Sequence, residues 1–401
     1  MGASTDLLAA ARSIGDRTIE LRRTLHRHPE IGLDLPRTQQ VVLDEIADLG
    51  PDVRMSERTS AIVAVLSGDR PGPTVILRGD MDALPLREDT GLSFASEVPG
   101  AMHACGHDTH VAMLAGAARL LSERRDALRG KVAFFFQPGE EGSGGAKIAL
   151  DEGLLDFPGE EVAAAYALHI TTSAPVGVIA VRPGPQFASA DTFTVTVHGR
   201  GGHASTPVLA NDPLPVACEM VLALQTVMTR RFEAFEPVVL TVSHIDAGTT
   251  DNVIPADAMF EGTIRTFSAD VRRSVHAHLE RVTTGVAAAH DMTVDTKVAP
   301  GYPTTMNDPS ATDRLRTVAA DVLGPDKVHP MDHPTMGAED FSYVLQRYPG
   351  AIAFLGACPP DADPTTVPWN HSNLVVFDED ALPAGVAMYA GLALSVLAGG
   401  G

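Results

Sequence analysis

The chain has 401 residues, 44% hydrophobic and 20% charged, an ordinary globular composition for which two domains are the better expectation. A formal net charge of −21 argues against a nucleic-acid groove or an anionic membrane surface as partner, and any negatively charged substrate must then be received by a local cationic feature. The three scattered cysteines, Cys105, Cys218 and Cys358, make no disulfide framework and suit a reducing cytoplasm.

The opening "MGASTDLLAAARSIGDRTIELRRTLHRHPE" has early acids and no basic region ahead of an apolar core, so no secretory signal is expected. Asp6 stands where a myristoylation signal wants Ser or Thr. Residues 5–29 and 37–49 read as helices. After them come the apolar run "TVILRGDMDAL", a helix over about 108–128, "KVAFFFQPGEE", a helix near 145–152, and "AAAYALHI". Strand–helix–strand order with nearly continuous apolar strands predicts a largely parallel sheet covered on both faces.

Near residue 186 the pattern changes. "DTFTVTVHG" alternates Phe193, Val195 and Val197 against Thr192, Thr194 and Thr196, the mark of a strand with one wet face. A helix over 213–231, the strands "PVVLTVSHI" and "AMFEGTIRTF", a helix striped by Val271, Val275, Leu279, Val282 and Val286, and "MTVDTKV" follow. The order β-α-β-β-α-β is that of a ferredoxin-like unit. After about residue 300 the first style resumes, with a helix near 309–323, the strand "AIAFLGA" and a final helix. Its apolar tail "GVAMYAGLALSVLAGGG" reads as too short to span a bilayer and is expected to be buried. The expected architecture is α/β: a discontinuous catalytic domain (1–186 and 299–401) with a mixed, largely parallel sheet, and an inserted α+β domain at 187–298.

In open α/β sheets, ligands bind beyond the carboxyl ends of the strands. Here "TVIL" runs into Asp80 and Asp82, "KVAFFFQ" delivers Glu140 and Glu141, "AAAYAL" ends at His169, and "AIAFLGA" leads to His371 in "WNHSN". Cys105 and His107 precede a helix. That so many segments end in Asp, Glu, Cys or His points to a metal. If residues 103–107 are extended, His103, Cys105 and His107 share a face; thiolate and imidazole suit zinc and tolerate manganese or cobalt. Taken alone, the segment also fits a helix capped by Asp108 or Thr109, or a Cys–His nucleophile pair. Two adjacent glutamates at a buried strand end repel each other and lose hydration, penalties that bound dications remove. One can then ligate while its neighbour takes a proton from water. In the inserted domain, His203 sits on the Gly-rich turn "GRGGHAS", with Asn252 in "TTDNVIP" and Arg265 in "GTIRTF". Arg265, beside that Asn and His, is the candidate for the cationic receiver.

With "RGDMDALP", "MHACGHDTHVAML", "QPGEEGSGGA", "ALH", "GRGGHAS", "DNVIP", "GTIRTF", "MGAEDF" and "NHSN", nearly the whole chain resembles the metal-dependent amidohydrolases of the aminoacylase and glutamate-carboxypeptidase clan. It looks most like the branch of hippurate hydrolase, N-acyl-amino-acid aminoacylases and auxin-conjugate amidohydrolases. The resemblance implies a homodimer, joined through the inserted domain as a lid, that hydrolyses small N-acyl amino acids. It implies Cys105, His107, Glu141, His169 and His371 as ligands of two divalent metal ions (manganese or zinc, with cobalt or nickel also suited). It further implies Glu140 as general base, Asp82 as an acid orienting a ligand, His203 as oxyanion donor from across the dimer, and Asn252 and Arg265 as contacts to the substrate carboxylate. Gly139 departs from the Ala of many relatives, and His103 and His110 match the motif without an assigned role. Three other readings stay open: a dipeptidase or carboxypeptidase with the same centre, a hydrolase dependent on Cys105, and a non-catalytic metal binder.

Overall fold

Apolar runs without alternation, such as "KVAFFFQ", settle in the middle of a sheet, where both faces are covered. The structure, a computed structural model, describes residues 4–397. In chain order it begins with helices α1 (Ser4–Ser13), α2 (Gly15–Arg27) and α3 (Pro36–Ile46), then strands β1 (Asp52–Met55), β2 (Ile62–Ser67) and β3 (Arg70–Asp80). Next come α4 (His107–Ser122), β4 (Arg129–Gln137), α5 (Gly145–Asp151), β5 (Val162–Pro175), β6 (Ile179–Val181) and β7 (Gly184–Phe187). They are followed by β8 (Ser189–His198), β9 (Gly202–His203), α6 (Pro213–Arg230), β10 (Val238–Asp246), β11 (Val253–Ile254), β12 (Asp257–Thr266), α7 (Ala269–Ala289) and β13 (Thr293–Pro300). The chain continues through β14 (Thr305–Asn307), α8 (Pro309–Leu323), β15 (Val328–Pro330), α9 (Ser342–Arg347), β16 (Gly350–Cys358) and α10 (Leu382–Leu397).

The chain divides into two compact units. One comprises the residues up to Gln186, Met306–His333 and the chain from Asp340 onward; the other comprises Phe187–Thr305 and Pro334–Glu339. The first is built on an eight-stranded sheet in the order β1-β2-β4-β3-β5-β16-β6-β15. Its central neighbours β4, β3, β5 and β16 run parallel, and antiparallel strands lie towards both edges. The fold class read from the sequence, a mixed and largely parallel sheet with a ferredoxin-like insertion, holds.

Helix α4 is buried along nearly its whole length, and it packs against α10. There Gly385 permits the close crossing: a Cβ at that position would lie 1.9 Å from the Met113 sulfur. The helical stretch Glu379–Leu397 corrects one expectation. With 19 residues and a mean hydropathy of 1.5 it is long and apolar enough to cross a membrane, but 72% of it is buried inside the protein, which accounts for its composition as core.

The second unit carries the four-stranded sheet β10-β12-β8-β13, antiparallel throughout. Phe193, Val195, Val197, Phe260 and Ile264 pack with Val216, Met220 and Leu224 of α6 and with Val275 and Leu279 of α7. Alternation along β8 therefore does what its period of two dictates: one face is covered by helices, and Thr192, Thr194 and Thr196 face the other way.

Several local expectations change. The helix over 5–29 is two helices, broken at Ile14. The helix over 108–128 stops at Ser122, and a single 3₁₀ turn, Arg125–Ala127, leads into β4. Strands β1 and β2, whose short runs carry little period, were not expected.

Asp191 anchors the second unit. Its buried carboxylate accepts from Arg272 Nε (2.8 Å), His276 Nε2 (2.7 Å) and the Gly301 amide (3.0 Å). Burial pushes its carboxyl up, but the Arg272 guanidinium and His276 outweigh burial and hold it below the ordinary carboxylate range. A depressed folded-state value contributes stability above the unfolded value of about 4, and that stability is lost as pH falls below it. Asp191→Asn should therefore cost roughly 1.5–3 kcal/mol near neutrality. In urea titrations, the gap to the wild type should close as the pH is lowered through the carboxylate range; a gap independent of pH would show that the charge is not what matters.

Candidate metal centre

The segment around Cys105 is not extended, which corrects the premise that His103, Cys105 and His107 share a face. Residues 104–105 form a turn closed by a hydrogen bond from the Gly106 amide to the His103 carbonyl (3.2 Å), and α4 begins at His107. Gly106 is the cap position, with φ +87°, so neither Asp108 nor Thr109 caps the helix. A Cβ at Gly106 would stand 2.4 Å from Ile170 Cγ2; only glycine combines that φ with that approach. The turn sends His103 towards His26, ring to ring at 6.3 Å, while Cys105 and His107 face the strand ends.

Three groups of ligand atoms, each mutually within 4.8 Å, then overlap: Cys105–His107–His169, Cys105–Glu141–His371 and His107–Glu140–Glu141. The Cys105 sulfur lies 3.5 Å from His169 Nε2, and His371 Nε2 lies 3.1 Å from Glu141 Oε1. His371 comes from the loop after β16. It has φ +72°, a conformation that costs of order 1–3 kcal/mol outside glycine. Its amide donates to the Ala104 carbonyl (2.8 Å), while Asn370 Nδ2 donates to the carbonyls of Cys105 and Ile170, both at 3.0 Å. These bonds tie three distant segments together and hold the strained residue.

The ring orientations suit ligation. His107 Nδ1–H donates to the Asp82 carbonyl (2.8 Å) and His169 Nδ1–H to the Ile170 carbonyl (2.8 Å). Because a carbonyl only accepts, each ring keeps its Nε2 lone pair for the cluster, the arrangement that fixes the tautomer of a metal-bound imidazole. Burial drives His169 down to about 3, so it stays neutral. Burial also drives the Cys105 thiol up, against the pull of His107. Hydrogen bonds to Cys105 and Glu141 push His371 up to about 10. Burial would lower His107, but Asp80 and Cys105 outweigh it and raise it well above its ordinary value. His107 Nε2 is buried, its nearest charged neighbour being Asp80 Oδ2 at 3.4 Å. A thiol, imidazoles and carboxylates that gather positive charge at their shared centre are a donor set that fits divalent cations.

Asp82 organises the glutamate pair. Buried at the end of β3, it accepts the Glu140 amide on Oδ1 (2.9 Å) and the Glu141 amide on Oδ2 (3.0 Å). Its own carbonyl receives His107.

Residues 76–395 match the sequence model of peptidase family M20/M25/M40. The chain belongs to this family. Thermostable carboxypeptidase 1 of Saccharolobus solfataricus is 37% identical over 387 residues, covering 96% of this chain and 96% of its own length. N-acetylcysteine deacetylase of Bacillus subtilis is 36% identical, covering 97% of this chain and 99% of its own. The crystal structure of the Bacillus subtilis YxeP protein, described as a dinuclear metal binding peptidase from the M20 family, matches with a TM-score of 0.82 and 32% identity, over 96% of this chain and 98% of that one. As an M20 member, the chain is a metal-dependent hydrolase of amide bonds.

Other candidate residues lie in the second unit. His203 in β9 pairs with Val253 in β11, and the Ala204 amide donates to the Asn252 carbonyl (3.1 Å), so His203 and Asn252 are close neighbours along the backbone. The Ser205 amide donates to His203 Nδ1 (3.1 Å), which assigns the proton of the neutral ring to Nε2. Arg265 is half-buried on the sheet face away from the helices, opposite Val239 and Ala190, and burial lowers its pKa.

Other residues around the centre were not foreseen. Arg78, fully buried in β3, donates to Gln137 Oε1 (2.9 Å), Asp80 Oδ2 (2.6 Å) and Asp340 Oδ1 (3.3 Å), while Asp340 Oδ2 accepts the Ala146 amide (2.9 Å). An arginine inside the apolar run "TVILRGD" is a signal in itself, because such a charge is buried only when paired. Asn370, inside "WNHSN", left no periodicity to read.

Asp82→Asn replaces one of two acceptors with a donor that faces an amide N–H. The expected loss of metal affinity is roughly 10–100-fold, measured by competition with a chromophoric chelator; an unchanged affinity would release Asp82 from this role.

Proposed function

We propose that this chain cleaves the amide bond of small N-acyl amino acids, releasing a carboxylic acid and an amino acid. The observation that carries the reading is the adjacent pair Glu140 and Glu141, both amides held by Asp82 and both carboxylates beside His107. Cys105, His107, Glu141, His169 and His371 would hold two divalent ions, manganese or zinc, with cobalt or nickel also suited by the donor types. When bound, such ions lower the pKa of water and polarise a carbonyl. The Glu140 carboxylate would take the proton of the attacking water and return it to the leaving amine. His203, protonated on Nε2, would donate to the developing oxyanion, a contribution of roughly 2.7–4 kcal/mol in comparable sites. Arg265 and Asn252 would receive the substrate carboxylate, the cationic feature that a net charge of −21 demands.

We also propose that the second unit serves as the lid and joins two copies, His203 being supplied by the partner subunit. In support, Val208 and Leu209, in the turn just after His203, are 87% and 71% exposed, unusual for side chains of that size. A second substrate reading, a carboxypeptidase with the same centre, is favoured by the 37% identity to thermostable carboxypeptidase 1. A nucleophilic role for Cys105 is disfavoured, because a reactive thiol needs a lowered pKa and burial raises this one.

Three measurements test the reading. Glu140→Ala should keep both cations and lose about 10²–10⁴-fold in kcat; metal analysis with normal turnover would sink the base assignment. Arg265→Ala should raise KM for substrates with a free carboxylate and leave kcat little changed; an unchanged KM removes it from the site. Acetyl-, benzoyl- and indolyl-acyl amino acids, assayed beside peptides, should be hydrolysed faster than the peptides; the reverse order would establish the carboxypeptidase reading.

A further inference from the structure

Strands β3 and β5 part company just where the centre begins. Their pairing ends at Arg78↔Ala167, yet β3 stays paired with β4 as far as Asp80↔Gln137, and β5 with β16 beyond His169 to Cys358↔Pro175. The expectation that the strand ends at His169 is thus corrected: His169 lies inside β5, at the mouth of a split in the sheet. Two backbone amides of β5, those of Leu168 and Ile170, lose their neighbour at the split, and each finds a side chain. The Leu168 amide donates to the Tyr389 hydroxyl (3.0 Å), which itself donates to the Arg78 carbonyl (2.7 Å). The Ile170 amide donates to His110 Nε2 (2.7 Å), and His110 Nδ1–H donates to Asp80 Oδ1 (2.5 Å).

Tyr389 and His110 thus form two successive rungs that replace the lost ladder, each accepting from β5 and donating to β3. Both are fully buried. Gly79 makes room for the second rung, since a Cβ there would lie 2.9 Å from the His110 carbonyl. Asp80, Arg78, His107 and His169 are the charged or titratable groups around the His110 ring, with ring contacts of 5.4 Å to His107 and 5.0 Å to His169. The groups of possible ligands include Asp80–His107–His110, but both His110 nitrogens are committed to hydrogen bonds, which leaves no lone pair for an ion.

We propose that His110, with Tyr389, is a positioning residue that holds the sheet open and clamps the backbone on both sides of His169, so that His169 Nε2 reaches the metal centre. This rests on the metal-centre reading above. His169 sits between the two amides that the rungs hold, so fixing those amides fixes the backbone from which its ring projects. The role belongs to the Nε2 acceptor of His110, which gives a discriminating test. Gln places its carbonyl oxygen near the position of Nε2, whereas Asn places its amide near Nδ1.

In the metal-loaded protein, His110→Gln should keep the Ile170 amide protected from hydrogen exchange and retain most of the metal affinity. His110→Asn should expose that amide and weaken one of the two ions roughly 10–100-fold in chelator competition. Tyr389→Phe, a smaller change that spares the fold, should raise exchange at Leu168. Equal loss of metal in the Gln and Asn variants would make His110 a ligand and overturn the proposal, as would Ile170 exchange unchanged in the Asn variant. A wild-type protein that binds no divalent ion would instead overturn the metal-centre reading, and the exchange contrast at Ile170 would still decide the rung.

Discussion

Two neighbouring carboxylates at the end of a buried strand are the constraint around which the first unit is organised. Each loses hydration and each repels the other, so the backbone beneath them has to be fixed before any cation can repay the arrangement. Asp82 does this with its two oxygens, one for each amide, and its own carbonyl orients His107. Below it, the buried Arg78 pairs with both Asp80 and Asp340 and offsets part of the negative charge behind the centre. The site is therefore a layered charge balance: arginine, then aspartates, then histidines and a thiol, then the glutamates.

The parts of this centre that were legible from the chain alone were those where chemistry conflicts with burial. Asp, Glu, Cys and His at strand ends and just ahead of a helix are costly in apolar surroundings, and the five of them that the family resemblance marked as donors do lie together. The parts that were not legible depend on tertiary neighbours. Whether residues 103–107 run straight or turn is decided by Gly106 against Ile170, a contact 64 residues away in the chain. The buried roles of Asn370 and Arg78 rest on single side chains with no repeat to betray them. Among the elements, α8 and the helices of the second unit were readable because their apolar stripes are long, whereas β1 and β2 are short runs flanking a turn.

The second unit follows simpler rules. Its sheet has one covered face and one open face, and the alternation in β8 and β12 states which is which. Asp191 with Arg272 and His276 locks the start of β8 to α7, so the open face, with Arg265 on it, is carried by a rigid support.

The donors of the centre are strung along most of the polypeptide, from Cys105 to His371, with the whole second unit encoded between His169 and His371. During synthesis the second unit emerges while the first still lacks β16, α10 and its last donor. Domains generally fold as units during synthesis, and the first unit cannot be completed before β16 and α10 are made. A centre that includes His371 is therefore complete only after the whole second unit has been synthesised.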